Sequence, residues 1–165
     1  MKTFALACSA LVTAACPLAA KAQPPACPGF TDGRALPFEA DHVYTDRAIS
    51  IVRAALKNDT PALSDLVAAQ AMFSVWRGDY TTSAREHGIP GVVEMVRDVK
   101  PIRFQTSATV QGPIAIVSSK CAWSVQVLFR TEQPNAGVTV KFDFIDGLLI
   151  RAEGHEVKLA EGSVR

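Results

Sequence analysis

The chain predicts an α+β fold, with three helices coming first and packing on one face of a curved antiparallel sheet. Three observations predict it. Apolar residues recur at helical spacing only before Pro101. From Ile102 onward the apolar runs alternate or are β-branched and aromatic, the pattern of strands. The stretch Val138–His155 reads as two strands joined at Asp146-Gly147. That dipeptide suits a type I′ turn, which needs φ > 0 at both central residues.

The elements follow in order. Residues 23–40 hold four prolines and two glycines without periodicity, and read as an extended N-terminal arm. A first helix is expected from Asp41 or Thr45 to Lys57. Ile49, Val52, Ala55 and Leu56 share one face, and Arg47, Ser50, Arg53 and Lys57 turn away. Asn58-Asp59 ends it. Thr60 is the expected N-cap of a short second helix, with Pro61 in its first turn and Leu63, Leu66 and Val67 as its buried stripe. Met72–Trp76 alternates as a short strand, and Tyr80–Gly88 reads as a long polar loop. Pro90 opens a third helix that buries Val92, Val93, Met95 and Val96, and Pro101 closes it. Strand-like runs then cover 102–110, 114–118, 121–131, 138–145 and 148–157.

The N-terminus reads as a cleaved export signal over residues 1–22. Lys2 precedes an apolar run from Phe4 to Ala15, and Ala20-Lys21-Ala22 supplies the small residues a signal peptidase reads. Lipidation at Cys16 is the lesser alternative. Either way the protein is expected in the periplasm or secreted. No later run reaches the roughly 18 apolar residues of a membrane span. Removing 22 of 165 residues leaves 143, one domain's worth, placed at 41–160. Losing Lys2 and Lys21 takes the 17 basic residues to 15 against 16 acidic ones. Bulk charge therefore recruits neither nucleic acid nor an anionic membrane. Cys8 and Cys16 leave with the signal, so Cys27 and Cys121 are expected to form a disulfide in an oxidising compartment. A reactive Cys121 has only Lys120 beside it to lower its pKa.

Several joints carry a family resemblance: the helix ending at Asn58-Asp59, the run Pro61–Phe73 from helix to strand, the Gly88–Gly91 entry to the third helix, the strand pair around Val110–Ile116 and the hairpin Phe144–Leu149. In this order the chain resembles the nuclear transport factor 2-like, or SnoaL-like, family over about residues 41–157. The resemblance implies a cone-shaped fold, a cystatin-like α+β roll whose sheet curls around the helices to leave a mostly apolar pocket. It also implies dimers through the open sheet face. Members include isomerases, cyclases, epoxide hydrolases, dehydratases and many of no known activity, so fold does not select function. Ketosteroid isomerase-like members use a tyrosine, a carboxylate base and a second acid. Counted onto this chain, those positions fall near Val52, Val75 and Val140, which can neither donate a hydrogen bond nor move a proton.

Few polar groups are left to line the cone. A two-residue turn at Asp146-Gly147 would set Phe142 opposite Arg151, Val140 opposite Glu153 and Val138 opposite His155. Arg151, Glu153 and His155, with Asp143, are then the weak catalytic candidates, unless a bulge at Gly154 turns the tail into a solvated charge stripe. Trp76, Tyr80, Trp123, Phe142 and Phe144 are the candidate ligand-binding aromatics, with core packing as their ordinary use. Asp41, His42 and Tyr44 form a cluster in which His42 and Asp46, one helical turn apart, are too few ligands for a metal site, and His87 lies where a pocket lid would be. No phosphate loop, nucleophile elbow, zinc pattern or calcium loop is present, and no cofactor is expected.

The expected function is an exported domain that binds an apolar small molecule or serves as a dimeric accessory module. The alternative is a cofactor-free isomerase, hydrolase or dehydratase with a His/carboxylate pair in the cone. A homodimer is expected through an outward sheet face carrying Val125, Val127 and Phe129 or their alternates.

Overall fold

The computed structural model describes residues 30–31, 34–35, 37–105 and 121–159. The export signal, Cys27 and the strand pair expected around 110–116 lie outside them. Within the arm, β1 (Phe30–Thr31) and β2 (Arg34–Ala35) pair antiparallel. Helix α1 spans Pro37–Lys57 and so begins earlier than the expected Asp41. Pro37 is tolerated in a first turn because its missing N–H would have no helical partner there, and Glu39 favours the positive helix end. The buried stripe is Ala40, Tyr44, Ala48, Ile51, Val52 and Ala55. The expected Leu56 is instead exposed, because the face is set by residues two turns further upstream.

Asn58 (φ 53°) takes a left-handed conformation and ends α1. The next helix, α2 (Thr60–Ser64), is capped by Asp59, whose carboxylate accepts from Ala62 N–H at 3.2 Å. The cap is thus one residue before the expected Thr60. Leu63 is buried within α2, whereas Val67 already belongs to β3 (Val67–Arg77). Gly78 (φ 58°) lies in the turn to β4 (Tyr80–Ser83), which pairs antiparallel with β3. A strand thus occupies the start of the expected loop, consistent with its Tyr-Thr-Thr composition.

Helix α3 (Gly88–Val99) buries Val92, Met95, Val96 and Val99 against β3. Lys100 (φ 47°) closes it. Arg77 at the end of β3 holds the end of this helix, with its guanidinium 2.9 Å from the Asp98 carboxylate. The remaining strands are β5 (Arg103–Gln105), β6 (Ala122–Arg130), β7 (Ala136–Ile145) and β8 (Leu148–Lys158).

Among the described residues, six strands form one curved sheet in the order β4-β3-β8-β7-β6-β5, with the helices on one face. The α+β expectation holds, with two corrections, the first being that β3 and β4 precede α3, so the three helices do not all come first. The second is that the sheet is mixed rather than wholly antiparallel, because β3 and β8 run parallel. These strands lie far apart in the chain, and the helix and strands between them supply the long connection a parallel pair needs.

Asp146 (φ 50°) and Gly147 (φ 82°) make the expected hairpin turn, and Phe144 lies opposite Leu149 as expected. The next pair is Asp143 with Arg151, so Ile150 is an extra residue on β8. One extra residue exchanges the two faces of every position beyond it. Phe142 therefore pairs with Ala152, Val140 with Gly154 and Thr139 with His155. The helix-facing side carries Trp123, Val125, Val127, Phe129, Val138, Val140, Phe142 and Phe144, all buried. Val125, Val127 and Phe129 thus face the helices, not solvent. Their alternates Ser124, Gln126 and Leu128 lie on the outer face, and the apolar-face argument for a dimer goes with them.

Candidate functional site

Three regions could carry function: the inside of the cone, the outer sheet face, and a cleft beside α3. The inside is packed. Phe142, Phe144 and Leu149 are fully buried, and Tyr44 sits against Phe144 with ring centroids 5.0 Å apart. Val52, Val75 and Val140, the positions counted for isomerase chemistry, are buried there as well. Tyr44 is the polar group among them. Its hydroxyl is buried and holds no partner, and burial pushes its pKa above the ordinary tyrosine value; Arg47 works against this rise and Asp146 adds to it. At the same end, Trp123 Nε1–H donates to Asp41 at 3.2 Å and the Arg47 guanidinium donates to the Gly147 carbonyl. Trp123, Phe142 and Phe144, three of the expected ligand-binding aromatics, are core residues here.

The extra residue at Ile150 brings Arg151, Glu153 and His155 together on the outer face with Asp143, so the four catalytic candidates share a surface outside the cone. The expected flip occurs, but it starts at Ile150 rather than Gly154, which pairs regularly between Val75 and Val140. Asp143 is only 2% exposed. It accepts from Arg151 Nε at 2.8 Å, lies 3.6 Å from Lys141 Nζ and takes the Ser124 hydroxyl hydrogen bond. This cluster is a satisfied charge network, in which a buried carboxylate is held by two partly exposed cations. Trp76, across from His155 on β3, donates from Nε1 to Glu153 at 3.3 Å, and its ring stacks on the His155 ring at 6.1 Å. Tyr80 is exposed at the start of β4.

The cleft lies between α3 and the β3–β4 hairpin, with a volume of about 370 Å³. Phe73, Val75, Ala84 and Met95 supply its apolar surface, with Thr82, Ser83 and Arg97 among its polar lining. Both carboxylates in its wall are engaged: Glu94 accepts from Arg85 N–H at 2.9 Å and Asp98 is paired with Arg77. The Asp98 hydrogen bond is the largest cause of a raised Arg77 pKa. Arg97 continues into a second groove with Ile89, Val93 and Arg85. Sequence reasoning missed this cleft, because it depends on β4, a strand read as loop. His87 lies not in this cleft but in a smaller cavity with Met72, Ser83 and Arg151.

Among the described residues, no group of three or more His, Cys, Asp or Glu could hold a metal ion. No helix among them is long and apolar enough to cross a membrane.

No protein-family model matches the chain, and no curated protein matches it. Similar solved structures include an NTF-2-like protein of unknown function from Silicibacter pomeroyi. It is 13% identical, covers 72% of this chain and 98% of its own, and has a TM-score of 0.47. A putative ketosteroid isomerase from Kribbella flavida is 12% identical over 73% of this chain and 82% of its own, with a TM-score of 0.45. A cystatin-like fold protein from Burkholderia xenovorans is 11% identical over 71% and 91%, with a TM-score of 0.42.

Proposed function

We propose that this domain, SnoaL-like in its resemblance, is an exported binding module that holds a small, largely apolar molecule in the cleft beside α3. The observation that carries this reading is the cleft itself. Its volume of about 370 Å³ lies within the range of roughly 300–1,000 Å³ typical of small-molecule sites, and an apolar surface with a few polar groups is the usual composition. Binding is favoured over turnover by the state of the local acids. Glu94 and Asp98 each hold a partner already, and no histidine is among the residues lining this cleft. The cone-based enzyme reading loses its groups: Arg151, Glu153 and His155 sit on the opposite face, and Val52, Val75 and Val140 cannot act.

The test is titration with 8-anilinonaphthalene-1-sulfonate, whose emission rises in apolar surroundings. Saturable binding is expected, weakened about tenfold or more by Ala84→Phe with an unchanged thermal melt. No ketosteroid isomerisation is expected. Probe binding indifferent to Ala84→Phe, or measurable isomerase turnover, would overturn the reading.

A further inference from the structure

We infer that the outer sheet face carries a second site, centred on Trp76, that binds a neutral saccharide. This inference does not rest on the cleft. The seam between β3 and β8 sets Met72, Ser74 and Trp76 beside Arg151, Glu153 and His155 on the face away from the helices. Trp76 is 39% exposed and Met72 54% exposed. An indole left wet on an open sheet costs hydration free energy that core packing would have recovered. Here it is also held in one orientation. Its Nε1–H is bound to Glu153 at 3.3 Å, and the His155 ring lies parallel to it within 5°. An exposed ring fixed before any ligand arrives loses little freedom on binding. On its β4 side the neighbour is Thr81, and Ser83 lies beside Ser74.

The charges around this ring argue for what it takes. Arg151 is tied to Asp143 at 2.6 Å and Lys141 lies 3.6 Å from the same carboxylate. Neither cation is free to neutralise a phosphate, so a nucleic acid gains no counterion release here. A protein partner needs an interface core depleted of charge, and Trp76 and Met72 are instead bordered by Arg151 and Glu153. A sugar ring fits what remains. Its C–H face suits the negative face of an aromatic ring, and its edge hydroxyls both donate and accept. Hydroxyl and carboxylate groups such as Thr81, Ser74 and Glu153 match that edge.

The experiment follows indole emission of the purified chain during titration with cellohexaose, chitohexaose and maltohexaose. The chain has two tryptophans, and Trp123 is 1% exposed, so a saccharide-dependent change reports Trp76. A saturable shift with at least one of the three is expected. By calorimetry, Trp76→Ala should remove that binding and His155→Ala should weaken it about tenfold. Trp76→Phe keeps a ring but loses the Glu153 tether, and should bind more weakly than the wild type while folding normally. Saturating 8-anilinonaphthalene-1-sulfonate should not displace the saccharide. No saturable shift with any of the three sugars up to about 10 mM, a range covering affinities weaker than about 1 mM, would overturn the inference. Binding that survives Trp76→Ala, or that the cleft probe displaces, would overturn it equally.

Discussion

Tyr44 carries the one side-chain polar atom that is buried and unpartnered among the described residues. A buried hydroxyl without a hydrogen bond forfeits its hydration and gains nothing in return, a penalty of about 1–3 kcal/mol. Tyr44→Phe keeps the ring against Phe144 and removes that penalty, so it should raise stability by about 1 kcal/mol in a denaturant melt. Desolvation raises the Tyr44 pKa in the folded chain above the ordinary value of 10.0, so the unfolded chain ionises first as pH rises. The stability linked to the Tyr44 proton is complete below pH 10 and is lost above it. Tyr44→Phe should therefore also flatten the alkaline fall in melting temperature. An unaltered alkaline limb in the variant would count against this account. The signal was in the sequence, since Tyr44 lies one helical turn from Ala48 and Ala40, but a face centred on Ile49, Val52, Ala55 and Leu56 leaves Tyr44 off it.

The hairpin β7–β8 shows how far a local signal reaches along an element. Asp146-Gly147 prescribes its own turn, and the register of the first pairs follows from it. Ile150 then intervenes, and nothing in Leu148-Leu149-Ile150 marks which of three apolar residues is left out of the pairing. The choice is made by what comes next. With Ile150 extra, Ala152 and Gly154 meet the core and Arg151, Glu153 and His155 meet solvent. Without it, three polar side chains would press against Phe142, Val140 and Val138, and unpaired buried charge costs far more than one lost ladder pair. Deleting Ile150 should therefore abolish the native fold rather than shift it, seen as loss of the cooperative thermal transition. A variant that melts cooperatively near the wild type would show that β8 tolerates either register.

Across the whole molecule, the charge and cysteine content lead to one further expectation. Cys121 is 4% exposed immediately before β6, and its expected partner Cys27 lies outside the described residues. A bond between them would close a long loop and contribute about 4–5 kcal/mol on the chain-entropy model. Thiol labelling of the chain, recovered from an oxidising compartment and denatured without reduction, should find no free cysteine. Labelling of both at full stoichiometry would end the proposal.

What the sequence determined by itself was local. Residues 88–99 form a helix, 122–130, 136–145 and 148–158 form strands, and Asp146-Gly147 forms a turn, because each rests on periodicity or backbone preference within a dozen residues. That helices cover one face of the sheet followed from the same reading, although β3 and β4 come before α3 in the chain. The tertiary structure alone decided that β3 lies parallel to β8, that β4 pairs at the edge, and which sheet face each candidate side chain occupies. Those outcomes depend on contacts between residues far apart in the chain, such as Trp76 with His155, and on a single inserted residue whose placement is set by the burial of everything after it. A period of two carries no information about which face is inside until the partner strand is known.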